Sequence, residues 1–387
     1  MSSLIETFTS TGSKFFAHEE VMRSLRDGKG RPITCHIMST DVCNHTCAFC
    51  SVQHRAGDSL TMAQITGFLD QLVPIGLKAV ILSGGGNPIL YKCRETRANF
   101  NKLVDTIHDR GLEIGLITNG MPLRVYVQDA DCTPRNSWTT VSPRTLDKLT
   151  WVRVSMAGLD HDERKVFVPD VNPERTTLGF SYVAHDIYTA EEDKAHGKVS
   201  TETDVLRLGK LEGREVHRFE DRFDELTEEF VMYCERYKPR YLRLLPNCLE
   251  PPLIAQRCKQ LQRIADEVNQ WVGYEVAFVQ YKPPAAPKAC YLGYIHPVLN
   301  CDGYVYPCDS CVLNDAAGHS FAHPWRVCRW DKIGELYRQP VRSLIADPAR
   351  TCPGCVFPQS NALLGTVVDG TADLTPPVQE PEHANFV

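Results

Sequence analysis

The sequence predicts an α/β fold in which a parallel sheet is joined by crossover helices. Three observations carry this: β-branched runs that end in small or turn residues, helical spacing between them, and a late change to a cysteine-dense, turn-rich composition. The runs are ITCHIMST (33–40), KAVILSGGG (78–86), LEIGLITNG (112–120), WVRVSMAG (151–158), TLGFSYVA (177–184) and RYLRLLPN (240–247), and each reads as a buried strand. Thr61 caps the helix MAQITGFLDQLV. RANFNKLVDTIHDRG, SPRTLDKL and DRFDELTEEFVMYCERY supply the next helices, and LIAQRCKQLQRIADEVNQWV follows the last strand. Six strands alternating with helices make either an open parallel sheet or a partial barrel. In both, the loops at the strand C-termini carry function.

Composition narrows the function classes. A chain of 387 residues, 43% hydrophobic and 23% charged, has room for one barrel-sized domain and a smaller one. No run of about 18 apolar residues occurs, so no membrane span is expected. The N-terminal MSSLIETFTSTGSKFF lacks the basic region and apolar core of a secretion signal, which points to the cytoplasm. Sixteen cysteines in a reducing compartment are expected to bind metal or do chemistry. A net charge of -6 without a basic stripe argues against nucleic acid and for a small or neutral substrate.

The organisation expected is an N-terminal extension (1–30), a core (31–250), a connecting helix and proline-marked linker (251–282), a cysteine-rich unit (283–362) and a disordered tail (363–387). Within the core, residues 185–220 are polar and without periodicity, as in a surface excursion or lid.

The stretch TDVCNHTCAFCS (40–51) follows the first strand and holds Cys43, Cys47 and Cys50. Three thiolates on one loop can ligate three irons of a [4Fe-4S] cube and leave the fourth open. They could also make a three-cysteine zinc site completed by His45 or His54. With Phe49 just before the last cysteine, the Cys-x3-Cys-x2-Cys spacing resembles the signature of the radical S-adenosylmethionine (SAM) superfamily. The resemblance implies a partial (β/α)6 TIM-type barrel, a [4Fe-4S] cluster whose open iron is chelated by SAM, and flavodoxin or ferredoxin as electron donor. Reductive cleavage of SAM then yields a 5'-deoxyadenosyl radical that abstracts a substrate hydrogen.

Further cofactor contacts follow from the same resemblance. Ser83, Gly84, Gly85, Gly86 and Asn87 stand where the superfamily usually has Gly-Gly-Glu-Pro. The glutamate that would pair with the SAM ammonium is absent, so backbone carbonyls or Asn87 must substitute. Thr118, Asn119 and Ser155, at the ends of the third and fourth strands, match the places of polar contacts to SAM. Phe49 belongs to the same set.

In the cysteine-rich end, Cys290, twelve residues, Gly303, four residues and Cys308 precede a distant Cys352-x2-Cys355. This resembles the Twitch half-domain, the shortened form of SPASM, and implies one fully ligated auxiliary [4Fe-4S] cluster. A zinc ribbon from Cys308-x2-Cys311 and Cys352-x2-Cys355 is the alternative by spacing. Cys301, Cys311 and Cys328 are spare under the first reading.

A closed auxiliary cluster cannot hold substrate, so its implied role is to take an electron from the substrate radical. The expected reaction is dehydrogenation of a small sugar-, cyclitol- or nucleoside-like molecule, with Arg153, Arg243, Tyr241 and His36 near strand ends as candidates for the base. Cys248, after the sixth strand, could instead donate a hydrogen atom, as in radical epimerases. Only 42 residues precede Cys43, too few for a leader-peptide module, which favours a small molecule. A peptide maturase using the 185–220 insert stays open, and a non-catalytic iron-sulfur or zinc protein is the reading from another class.

Overall fold

The computed structural model describes residues 4–9, 14–45, 47, 49–50, 52, 55–120, 141–160, 165–190, 214–248, 250–282, 285, 288–310, 325–345, 352, 355–377 and 380–387. Its strands are β1 (Thr34–Ile37), β2 (Ala79–Leu82), β3 (Glu113–Thr118), β4 (Trp151–Ser155), β5 (Thr177–Ala184), β6 (Ile187–Ala190), β7 (Arg214–His217), β8 (Tyr241–Pro246), β9 (Ala277–Val279), β10 (Val298–Leu299), β11 (Tyr304–Tyr306) and β12 (Cys328–Arg329). Ten of them form one sheet in the order β12-β11-β10-β1-β2-β3-β4-β5-β8-β9, while β6 and β7 pair with each other.

All six expected strands are present and parallel. The helices between them form by local rules: Thr61 and Gln64 make a reciprocal capping box at the start of Met62–Leu72, and Asn99 caps Phe100–His108. Their buried faces, such as Ile65, Phe68, Leu69 and Leu72, join the strand side chains in one apolar core. Among the described residues no helix is long and apolar enough to cross a membrane.

The sheet extends past the expected six strands at both edges. β9 continues it in parallel beyond β8, and β10 lies parallel to β1 on the other side. β10 and β11 form an antiparallel hairpin, so the cysteine-rich segment is stitched onto the strand that delivers Cys43, Cys47 and Cys50. The stems of the 185–220 insert are ordered as the β6/β7 ladder, while residues 191–213 lie outside the described residues. Arg257, in helix Ile254–Val272, holds both ends of the insert through Asp186 (2.5 Å) and Glu220 (2.7 Å).

The sheet curls so that side chains from β1, β2, β3, β4 and β8 line a common cavity. Its floor is aromatic. Trp151 and Tyr241 lie over Gly115 and Gly179, where an added Cβ would come within 2.1 Å of each ring. Phe8, from the helix Leu4–Phe8, stacks on Tyr241 at 4.4 Å, and Phe386 meets Trp151 edge-on at 5.2 Å.

The tail is therefore not disordered as its composition suggested. Pro358–Val368 is a helix, and Phe386 and Val387 are buried. Thr34 Oγ1 donates to the Asn385 carbonyl (2.6 Å) and accepts from the Val387 amide (3.1 Å). Asn385 Nδ2 donates to Glu113 (2.6 Å), and Lys14 Nζ reaches the carbonyls of His383 and Phe386 at 3.4 Å. These partners lie hundreds of residues away, which composition over a short window cannot register. Replacing Phe386 with alanine should cost about 3 kcal/mol in denaturant unfolding of the anaerobic protein. A loss below about 0.5 kcal/mol, the range of surface substitutions, would mean that the tail does not seal the floor.

Candidate active site at the barrel mouth

The loop leaving β1 carries Cys43, Cys47 and Cys50, all half-buried. Arg55 organises it, with Nη2 donating to Cys50 Sγ (3.2 Å), Nη1 to the His45 carbonyl (3.2 Å) and Nε to the Gly85 carbonyl (3.5 Å). The loop after β2 presses against it closely enough that a Cβ on Gly86 would sit 2.1 Å from the Val42 carbonyl oxygen. The Gly86 and Asn87 amides donate to the carbonyls of Thr40 and Val42, each at 2.9 Å. Glycine is thus required here for the approach of two backbones.

Burial pushes the Cys47 thiol well up, and Cys50, Cys43 and Asp160 push it further. Burial also raises Cys50, against the pull of Arg55. The three sulfurs therefore feel one another, as donors to a shared cationic centre must. Three soft thiol donors in one field suit an iron-sulfur cube. Among the described residues no three His, Cys, Asp or Glu side chains are drawn together as a single metal ion requires. His54, one zinc candidate, lies outside the described residues.

Asn87 is engaged within the protein. Its Nδ2 donates to Asn119 (2.7 Å) and Asn44 (3.2 Å), and its Oδ1 accepts from Thr118 Oγ1 (2.9 Å) and the Ile89 amide (3.3 Å). Asn119 Nδ2 donates to Asn44 Oδ1 (3.2 Å) and reaches Cys43 Sγ at 4.0 Å. Asn87 thus ties the loops after β1, β2 and β3 together. Ser155 stands opposite Ser181 in the β4/β5 register, and the Ser83 carbonyl faces the His36 ring.

Phe49 packs edge-on against His185 at 4.9 Å. His185 faces Asp160, which accepts from Tyr182 Oη (2.9 Å) and Arg222 Nη2 (2.7 Å). This buried group, with Asn44 and Arg55, was missed in the sequence because its members are scattered and follow no motif.

Cys290, Cys308, Cys352 and Cys355, the second cysteine set read in the sequence, are linked by the electrostatics of Cys290. Burial raises the Cys290 thiol well above its ordinary value, and Cys308, Cys355 and Cys352 add to the shift. Cys311, the alternative zinc ligand, lies outside the described residues. Cys301 sits instead among Asp41, Asp302 and Asp58, and Cys328 near Asp331 and Glu335. Asn361 links the two ends of the set: its Nδ2 donates to Cys355 Sγ (3.5 Å), and its Oδ1 accepts from the amides of Tyr291 (2.8 Å) and Leu292 (3.1 Å). The Phe357 amide donates to the same sulfur (3.3 Å).

Inside the barrel Arg153, Arg243, Tyr241 and His36 line one cavity, joined by Lys282, which the sequence placed in the linker, and by His296 and Asp309 of the cysteine-rich unit. Arg153 bonds to Tyr241 and lies over the Trp151 ring at 5.7 Å. Burial holds the Tyr241 phenol up, and burial together with Arg153 drives Arg243 down. Lys282 is lowered to about 8 by burial and by Arg243, and its Nζ lies 4.3 Å over the Phe357 ring. Cys248 is exposed at the mouth, within the fields of Lys282 and Asp309. Asp309 and Phe357, each within two residues of an auxiliary cysteine, line the same cavity.

The chain is similar to several known proteins. A S-adenosylmethionine-dependent nucleotide dehydratase from Selenomonas ruminantium is 27% identical over 139 residues, 34% of this chain, and the chain spans about half (47%) of that protein's length. Streptococcus suis SuiB bound to precursor peptide SuiA superposes with a TM-score of 0.47 at 12% identity, over 86% of this chain and 69% of that one. anSMEcpe with bound AdoMet and Cp18Cys peptide gives 0.45 at 14% identity, over 82% and 81%. Residues 37–153 match the family model described as the radical SAM superfamily, and by that match the chain carries a radical SAM domain whose first loop is the one holding Cys43, Cys47 and Cys50.

Proposed function

We propose that the chain is a cytoplasmic radical SAM oxidoreductase that dehydrogenates a small molecule seated in the barrel, with the second cysteine set as the outlet for an electron. The observation that carries this reading is that Asp309 and Phe357, neighbours of Cys308 and Cys355, line the cavity beneath the mouth. When bound, a [4Fe-4S] cluster at Cys43, Cys47 and Cys50 with SAM supplies a 5'-deoxyadenosyl radical for hydrogen-atom abstraction, and a second at Cys290, Cys308, Cys352 and Cys355 supplies a one-electron acceptor.

The chain's own groups do the rest. Arg55 and Asn119 donate toward the sulfurs of the first loop, and Asn361 toward Cys355. Phe8, Trp151, Tyr241 and Phe386 close the bottom against water. The substrate gives up one hydrogen atom, one electron and one proton. Lys282, lowered to about 8, is the proton acceptor that fits this position. Flavodoxin or ferredoxin is the expected source of the electron that starts the cycle. The name of the Selenomonas ruminantium relative keeps nucleotides among the substrate candidates, and the peptide-bound structures keep peptides as a second class.

A redox-neutral epimerisation is the second reading, favoured by the exposure of Cys248 at the mouth. Its Sγ–H would return a hydrogen atom to the opposite face of the substrate radical. In deuterated water, Cys248→Ala should keep full turnover with a product two hydrogens lighter. Lost turnover together with lost solvent deuterium in the product would establish epimerisation instead.

Anaerobic reconstitution should give about eight irons per chain, against about four plus one zinc for a ribbon. Asn361→Leu should weaken the second site about 10- to 100-fold, lowering iron toward about four, while dithionite-driven cleavage of SAM to 5'-deoxyadenosine continues. With Lys282 neutral as the base, turnover should climb as pH rises through about 8 and then level off. A flat profile between pH 7 and 9, or one unchanged in Lys282→Met, would remove Lys282 from that role.

A further inference from the structure

The cavity under the mouth holds more positive charge than its surroundings balance. Arg153, Arg243 and Lys282 line it, with Lys14 at its base, and among the described residues Asp309 is the one acidic side chain that lines it. Lys14 is occupied by the carbonyls of His383 and Phe386. Burial weakens the hold of both arginines on their protons, Arg153 weakens that of Arg243 further, and Tyr241 and Asp309 offset part of the loss. Arg153 Nε, Arg243 Nε, His36 Nε2 and His296 Nε2 are enclosed without a hydrogen-bond partner among the described residues. A buried guanidinium Nε–H left without an acceptor is costly, and two lining one cavity more so, unless an anion completes the group.

The cavity measures about 120 Å³. That is room for several water molecules, and so for a phosphoryl group. Two guanidiniums match a tetrahedral dianion in charge and offer the planar donor sets that phosphate oxygens accept.

We propose that Arg153 and Arg243 hold a phosphoryl group of the substrate in the barrel interior, so that the substrate is a phosphate ester whose carbon skeleton extends up toward the mouth. The inference rests on the radical SAM reading only for where the reacting carbon lies. The anion site itself is a property of the barrel.

The test is calorimetric titration of the anaerobically reconstituted enzyme with inorganic phosphate, and separately with acetate, alongside an assay of SAM cleavage. Wild type should bind phosphate at least tenfold more tightly than acetate. Arg243→Gln and Arg153→Gln should each weaken phosphate about 10- to 100-fold, and Arg243→Lys should recover part of the loss. Iron content and the thermal midpoint without phosphate check that each variant is folded, and a variant failing either check is replaced by the lysine variant at the same position. No phosphate binding by wild type, affinity unchanged from wild type in both glutamine variants, or acetate bound as tightly as phosphate would overturn the proposal. If phosphate binds as expected but no SAM is cleaved, the enzymatic reading fails and the anion site stands.

Discussion

The first cysteine loop can keep three thiols half-buried at an apolar mouth because another backbone supports it. Gly86 lies so close to the Val42 carbonyl that no side chain fits between them, and the amides of Gly86 and Asn87 satisfy the carbonyls of Thr40 and Val42. Arg55 and the Asn44–Asn87–Asn119 amides tighten the same junction from either side. Holding like-charged ligands together costs free energy that a rigid frame must absorb in advance, and here the frame is made by loops that follow three consecutive parallel strands. The rest of the mouth takes its position from those strands.

Much of this was legible in the chain. The six core strands are long enough, and apolar enough, for their runs to stand out, and both cysteine sets are recognisable because ligand spacing is a local property. β9 was not legible, since Ala277–Val279 is too short to show a period and follows a polar stretch. Lys282 hid in a proline-rich segment that reads as linker, and Asn361 hid in a helix with nothing to mark it. Asn87 was seen as a stand-in for a missing carboxylate, yet its amide is used to join loops. In each case the deciding contact is between distant positions, and no local pattern encodes it.

The two cysteine sets share a mechanical reference. β1 delivers the first, and β10, hydrogen-bonded to β1 through the His36↔Val298 and Ile37↔Leu299 register, leads into the hairpin that ends at Cys308. Asn361 then fastens the helix after Cys355 to the backbone after Cys290. A shift of β1 would therefore move both sets together.

The aromatic floor has a consequence for how the protein is made. Thr34 is tied to Asn385 across 351 residues of sequence, and Phe386 covers Trp151. A nascent chain emerging from a ribosome would thus have both cysteine sets in hand before the floor of its barrel could be stoppered. During that interval the bore would be open to water at both ends. Loss of the Phe386 contact would return it to that state, with its cysteines intact but the floor of the cavity unsealed.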